Sequence, residues 1–291
     1  MKRLLLQSPP NDWKRAKSIP AGSLRSEDAG PFRRVFYRHP LAPQASALSG
    51  QRILFFSDLH IRPQTAACWP RKLRWQGTAA IRDFLLETVN TCRPDHIFFG
   101  GDAMAYLCCF DDCMELFREL RCPGLKLGVW GNWDLMNRWL PLRYLQARFE
   151  EEAGLRLLSN EAVCAGPMRV FGLEEIRRAS PEYRPPEEPF PFECVLSHNP
   201  DNIPLFMTPD QFSGISLILC GHTHGGQIRI PLFGAVLTSS VFWKRFEYGL
   251  YENRRTHTRM LVSSGLGVTF IRKRIFCPPE AVIIDLVTDS R

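Results

Sequence analysis

Five short apolar runs in this chain each deliver a carboxylate, a carboxamide or an imidazole at the point where the run stops. Arg52–Phe56 leads into Asp58-Leu59-His60, His96–Phe99 into Gly101-Asp102, and the run from Lys126 to Trp130 into Gly131-Asn132-Trp133-Asp134. The run from Glu193 to Leu196 leads into Ser197-His198-Asn199, and Leu217–Cys220 into Gly221-His222-Thr223-His224. Apolar runs of this length read as buried strands. Between them, the stretch from Thr78 to Thr91 places Ala80, Phe84, Leu85 and Val89 at helical spacing. Further helices are predicted from Cys113 to Leu120 and from Met136 to Phe149, the latter with Leu140, Tyr144 and Leu145 inward. Strand, helix and strand in alternation imply parallel pairing, and open α/β sheets gather their functional side chains at the carboxyl ends of strands.

The second half is richer in strands. Leu157 to Leu158, Val163 to Cys164, Met168 to Gly172, Met260 to Ser263 and Ala281 to Leu286 fit short strands, while the proline- and acid-rich stretch from Ser180 to Pro191 suits an exposed loop. The expected fold is α/β, a four-layer αββα sandwich of two mixed sheets flanked by helices. Residues 1–30 show no clear period and are expected to form a basic arm that orders only on a partner; residues 31–291 are expected to form the folded domain.

A hydrophobic content of 45% over 291 residues suffices for a substantial core. The apolar stretch Leu4-Leu5-Leu6 stops at Gln7, too short for a signal peptide, and no run approaches the ~20 residues of a membrane span. The expected location is therefore cytoplasmic. Ten cysteines without a secretory segment read mostly as reduced, buried thiols, with Cys108, Cys109 and Cys113 a cluster that lacks the CxxC spacing of a metal or redox site. The net charge of +7 is concentrated at the two ends of the chain, from Lys2 to Arg38 and from Arg254 to Arg274. Such clusters suit an anionic lipid surface or substrate. No recognised nucleic-acid-binding motif accompanies them, and no nucleic-acid partner is expected.

The donors at the strand ends are all oxygen or imidazole, and no cysteine is among them, which points to hard or borderline divalent cations. In this order and spacing the series resembles the calcineurin-like metallophosphoesterase superfamily, over roughly Arg52 to the C-terminus. The continuation Gly225-Gly226-Gln227-Ile228, with Pro231-Leu232-Phe233-Gly234 and Tyr248-Gly249-Leu250-Tyr251, is similar to a bacterial membrane-associated branch. That branch includes a UDP-2,3-diacylglucosamine pyrophosphatase of lipid A synthesis. The resemblance implies two divalent ions, with Mn²⁺ the leading candidate and Fe or Zn also compatible with the donors. Asp58, His60 and His224 would hold one, Asn132, His198 and His222 the other, and Asp102 would bridge them about 3.5 to 4 Å apart. Asp134 is grouped with the catalytic set as a support for the Asn132 loop.

Trp133 departs from the pattern. The resemblance implies a histidine at this position that protonates the leaving group, and indole cannot do so; a contribution of ~10² to 10⁴ in rate should be missing where such help is needed. A phosphoanhydride, whose leaving group is a weakly basic phosphate, suffers least. Substrate contacts are expected from Trp133, Trp243, Lys244 and Arg245, within an apolar lip with cationic edges from Val236 to Trp243. Met136, Trp139, Leu140 and Leu142, or Trp69, Leu73 and Trp75, could extend that lip. The leading expectation is hydrolysis of UDP-2,3-diacylglucosamine to UMP and the lipid 1-phosphate at the inner face of the membrane. The alternatives are a general phosphodiesterase or phosphatase and a non-catalytic metal-binding scaffold.

Overall fold

The computed structural model describes residues 7–8, 10–16, 23–63, 77–136, 140–176 and 180–288. The chain opens with β1 (Trp13–Arg15), β2 (Leu24–Ala29), β3 (Phe32–Pro40) and β4 (Arg52–Phe56), then α1 (Gly77–Cys92), β5 (His96–Phe99), α2 (Phe110–Glu119), β6 (Lys126–Val129) and α3 (Leu142–Ala153). Next come β7 (Arg156–Leu158), β8 (Glu161–Ala165), β9 (Met168–Gly172), β10 (Phe192–Ser197), the short α4 (Asn202–Phe206) and β11 (Leu217–Cys220). The chain closes with β12 (Arg229–Ile230), β13 (Gly234–Ala235), β14 (Gly249–Asn253), β15 (Arg259–Val262) and β16 (Glu280–Val287).

Two seven-stranded sheets result, one ordered β2-β3-β16-β4-β5-β6-β7 and the other β1-β14-β15-β11-β10-β9-β8. Both are mixed: β4, β5, β6 and β7 are parallel, as are β9, β10, β11 and β15, with antiparallel pairs toward the edges. Successive side chains of a strand point to opposite faces, and this alternation divides the core. Ile53 and Phe55 pack with Leu196, Leu217 and Leu219 between the sheets, while Leu54 and Phe56 pack with Ile81, Phe84 and Phe117 beneath α1 and α2. On the far face of the second sheet, Val195, Ile218 and Val262 meet Trp13, Ile203 and Phe212. The layers are helix, sheet, sheet and a thinner cover containing α4, as expected for the αββα sandwich.

Two expectations are corrected. Residues 1–30 are not simply an arm: β1 pairs with β14, β2 pairs with β3, and Trp13 is buried against Phe212. The third helix begins after Pro141 rather than at Met136, which ends a short 3₁₀ turn. Proline disfavours the helical region for the residue before it, so Leu140 stays outside the helix; Leu140 and Tyr144 are exposed, and only Leu145 of the three faces the core. The C-terminal basic cluster is not uniformly solvated. Arg274 turns inward and donates to the carbonyl oxygens of Ser264 and Gly267.

Candidate metal centre

Left-handed backbone marks the site before any side chain is considered. Asp58, His60, Asp102, His222 and His224 all have positive φ, between 45° and 69°. A non-glycine residue in this region costs of order 1–3 kcal/mol and persists only where the surroundings hold it. Here the restraint is visible: Asp58 N–H donates to Gly101 O at 2.8 Å and His60 N–H to Asp102 O at 3.0 Å, lacing the β4 and β5 loops together. Close approach does the rest, since a Cβ on Gly131 would lie 2.0 Å from Asp102 Oδ1 and one on Gly221 would lie 2.6 Å from Asp58 Oδ2.

The donors converge in two overlapping groups. Asp58, His60 and His224 form one and Asp58, Asp102 and His198 the other, all buried, with each group's ligand atoms within 4.8 Å of one another. His60 Nε2 lies 3.0 Å from His224 Nε2. His198 Nε2 lies 2.9 Å from Asn132 Oδ1 and 3.2 Å from His222 Nδ1. Asp102 Oδ2, in the second group, is 3.4 Å from His198 Nε2 of that group and equally far from His60 Nε2 of the first. His198 Nδ1 is 2.7 Å from Gly100 O, a contact that requires the proton on Nδ1 and leaves the Nε2 lone pair aimed into the site.

Two buried aspartates and four histidines so close together need counter-charge. Burial pushes the Asp58 carboxyl up to about 6, with the negative charge of Asp102 adding to the effect. Burial acts likewise on Asp102, but the neighbouring His198, His60 and His222 overcome it and hold that carboxyl well below the usual carboxylate range. Burial lowers His60 to about 4 and also holds His224 well below the usual imidazole range. For His198, burial is outweighed by Asp102 and Asp58, which raise it to about 10. Oxygen and imidazole donors in two sets sharing a carboxylate fit a pair of divalent cations, which would take the place of the proton on His198.

Asp134 lies behind the ligands. Its carboxylate accepts the N–H groups of Asp102 and Ala103 at 2.9 Å, Gly131 at 3.0 Å and Met104 at 3.3 Å, so it ties the Asp102 and Asn132 loops together. Trp133 donates its backbone N–H to Asp102 Oδ1 at 2.8 Å. Its half-buried indole packs edge-on to the His60 ring at 5.2 Å and against the exposed Phe270 at 5.3 Å.

Of the expected substrate contacts, Trp243 and Lys244 are exposed and Arg245 is half-buried, all on the lip from Val236 to Trp243 or directly after it. The lip is tied to the centre, since Ser239 Oγ donates to His222 O at 2.9 Å and Asp201 accepts from Ser240 Oγ and Val241 N–H, both at 2.7 Å. Met136 and Leu140 are exposed and Leu142 is half-buried. Trp139, Trp69, Leu73 and Trp75 lie outside the described residues. Among the described residues, Cys108 is exposed, Cys109 and Cys113 are buried, and none of the three joins a ligand group.

Two residues at the site were missed in the sequence. Phe270 follows Thr269 with no periodic context. Arg274, masked by its place in a basic run, has Nη2 3.3 Å from His224 Nδ1. No helix among the described residues is long and apolar enough to cross a membrane.

Known proteins share this arrangement at the level of sequence. The calcineurin-like phosphoesterase profile matches residues 51–226, a segment that begins just before β4 and ends just after His224. The phosphodiesterase YaeI of Escherichia coli (strain K12) is 30% identical over 261 residues, covering 86% of this chain and 87% of that protein. The uncharacterized metallophosphoesterase YkuE of Bacillus subtilis (strain 168) is 28% identical over 212 residues, covering 69% of this chain and 71% of that protein. With the donor set, the fold around it and the matched segment in agreement, the chain belongs to the calcineurin-like phosphoesterase family and is a metal-dependent phosphoester hydrolase.

Proposed function

We propose that the protein hydrolyses a lipid-linked phosphoanhydride at the inner face of the membrane, with UDP-2,3-diacylglucosamine as the substrate and UMP and the lipid 1-phosphate as products. The observation that carries this reading is Trp133, whose indole stands between His60 and the exposed Phe270 at the edge of the centre. Indole nitrogen is a donor only and does not exchange a proton at accessible pH. A reaction there must expel a leaving group that needs no protonation. Attack of water on one phosphorus breaks the anhydride P–O bond, the bridging oxygen leaves with the second phosphate, and the proton of water passes to solvent.

Divalent cations held by these donors, Mn²⁺ in this proposal, supply Lewis acidity toward phosphoryl oxygen and a nucleophile near neutral pH. The protein's own part is to hold and exclude. Neutral Asn132 keeps the ligand charge low enough for an anionic phosphate to approach. Lys244 and Arg245 offer charge to the diphosphate, while Trp133, Phe270 and Trp243 present apolar surface to acyl chains.

The test is Mn²⁺-dependent release of UMP from UDP-2,3-diacylglucosamine in detergent, beside a chromogenic phosphodiester and a phosphomonoester. Release from the lipid substrate alone supports the reading, and turnover confined to the simple esters overturns it. A second reading, phosphodiester hydrolysis with an acidic leaving group, is favoured by the activity named for the relative YaeI; it expects the chromogenic diester to be the best of the three.

A further inference from the structure

A cavity of about 1210 Å³ lies between β1, the β12–β13 hairpin and the turn at Trp243–Phe246. Six cationic side chains line it, Lys14, Arg15, Arg229, Lys244, Arg245 and Arg254, against one carboxylate, Glu247, which is already ion-paired to Arg229 at 2.7 Å. Its rim is apolar to an unusual degree for a solvent-facing surface. Leu232 is 104% exposed, Phe276 72% and Trp243 63%. These three side chains also share a backbone feature: φ is 70° at Leu232, 50° at Phe276 and 53° at Trp243. Bulky non-glycine residues rarely adopt such values, and burial does not compensate here, because each side chain points to water. Exposed apolar area at these three positions around one cationic basin indicates an occupant that covers them.

We propose that this face docks on an anionic phospholipid bilayer, with Leu232, Trp243 and Phe276 entering the boundary between headgroups and acyl chains and Lys14, Arg15 and Arg254 of the cavity receiving lipid phosphate. Charge complementarity selects that occupant: apolar tips around a cationic basin match a surface that is hydrocarbon beneath and negative above. The lip tied to His222 runs into the Trp243 turn, so a docked protein has its metal centre beside the leaflet. The docking rests on the reading of a lipid-borne substrate only for its purpose.

The experiment is sedimentation of the full chain with vesicles of phosphatidylcholine alone or mixed equally with phosphatidylglycerol, with hydrolysis of a soluble chromogenic phosphoester measured in parallel. Binding to the mixed vesicles and not to phosphatidylcholine is expected. The double variant Lys14→Gln/Arg254→Gln should bind about thirtyfold more weakly, given the usual contribution of each basic residue near such a surface. Leu232→Gly/Phe276→Gly should also lose binding while keeping or raising its melting temperature, because glycine suits positive φ; a merely structural role would lower it. Soluble-substrate turnover should be unchanged in both.

Absence of binding to the mixed vesicles, equal binding to both vesicle types, or undiminished binding by both variants overturns the docking. If docking holds but UMP is not released from the lipid substrate, the substrate reading fails and the docking stands.

Discussion

The backbone N–H of Trp133 donates to Asp102 Oδ1 at 2.8 Å, so the contact that orients this carboxylate does not depend on the indole. Trp133→His should therefore leave metal content unchanged. It would add a titratable group beside His60, and turnover of alkyl or aryl phosphoesters should rise by about 10²-fold or more. An unchanged ratio of ester to anhydride turnover, measured as kcat/KM on both substrates, would contradict the leaving-group argument.

Asp102 Oδ2 stands 3.4 Å from a histidine of each ligand group. Asp102→Ala should reduce metal content from two ions per chain and abolish turnover with the fold retained. Asp134 belongs to neither ligand group, but Asp134→Ala removes the acceptor of four backbone N–H groups in the two ligand loops. Each buried N–H left unpaired costs about 1–3 kcal/mol, and loss of such a supporting partner typically weakens metal affinity by about 10- to 100-fold. Metal analysis and denaturant melts check both variants; two ions and full turnover in Asp102→Ala would remove Asp102 from the metal centre.

The ligands were legible because each ends an apolar run. The strands His96–Phe99 and Leu217–Cys220 are read to the residue, since Gly100 and Gly221 stop the hydrophobic pattern at once. β3 escaped notice because its inward positions include Arg34 and His39, so charge hides the alternation. Arg34 is satisfied inside the fold by Thr88 Oγ1 at 3.0 Å and Glu87 at 2.8 Å, partners far away in sequence. Arg274 was hidden in the same way: a basic run gives no sign that one member turns inward to backbone carbonyls. Positive φ at five ligand positions leaves no trace in residue type, because aspartate and histidine are common elsewhere.

Metal-free protein should lose stability as pH rises from about 7 to about 10. The His198 imidazole is raised from its ordinary 6.5 to about 10 by Asp102 and Asp58 despite burial. The stabilising contribution is thus fully present below 6.5 and is lost as pH rises through about 10. At lower pH the raised Asp58 and Asp134, at about 6 and about 7, oppose the lowered His60, so no single trend is expected there. With cations bound, His198 would be a neutral ligand and its share of the slope should disappear. Melting temperatures against pH with and without Mn²⁺, repeated for His198→Asn, check this; equal slopes for both proteins in the absence of metal would count against it.

Trp13 decides whether the N-terminal segment is part of the fold. It is buried, lies edge-on to Phe212 at 5.2 Å and sits opposite Asn253 in the β1–β14 pair. Trp13→Ala should cost about 3–5 kcal/mol, as expected for removing a large aromatic from a packed site. Leu24→Ala, at an exposed position on β2, should stay within about 0.5 kcal/mol. An arm that ordered only on a partner would make both changes neutral in a denaturant melt of the protein alone. The same strand carries Lys14 and Arg15 into the basic cavity. Loss of Trp13 packing should therefore weaken vesicle binding as well as stability, although no charge is removed.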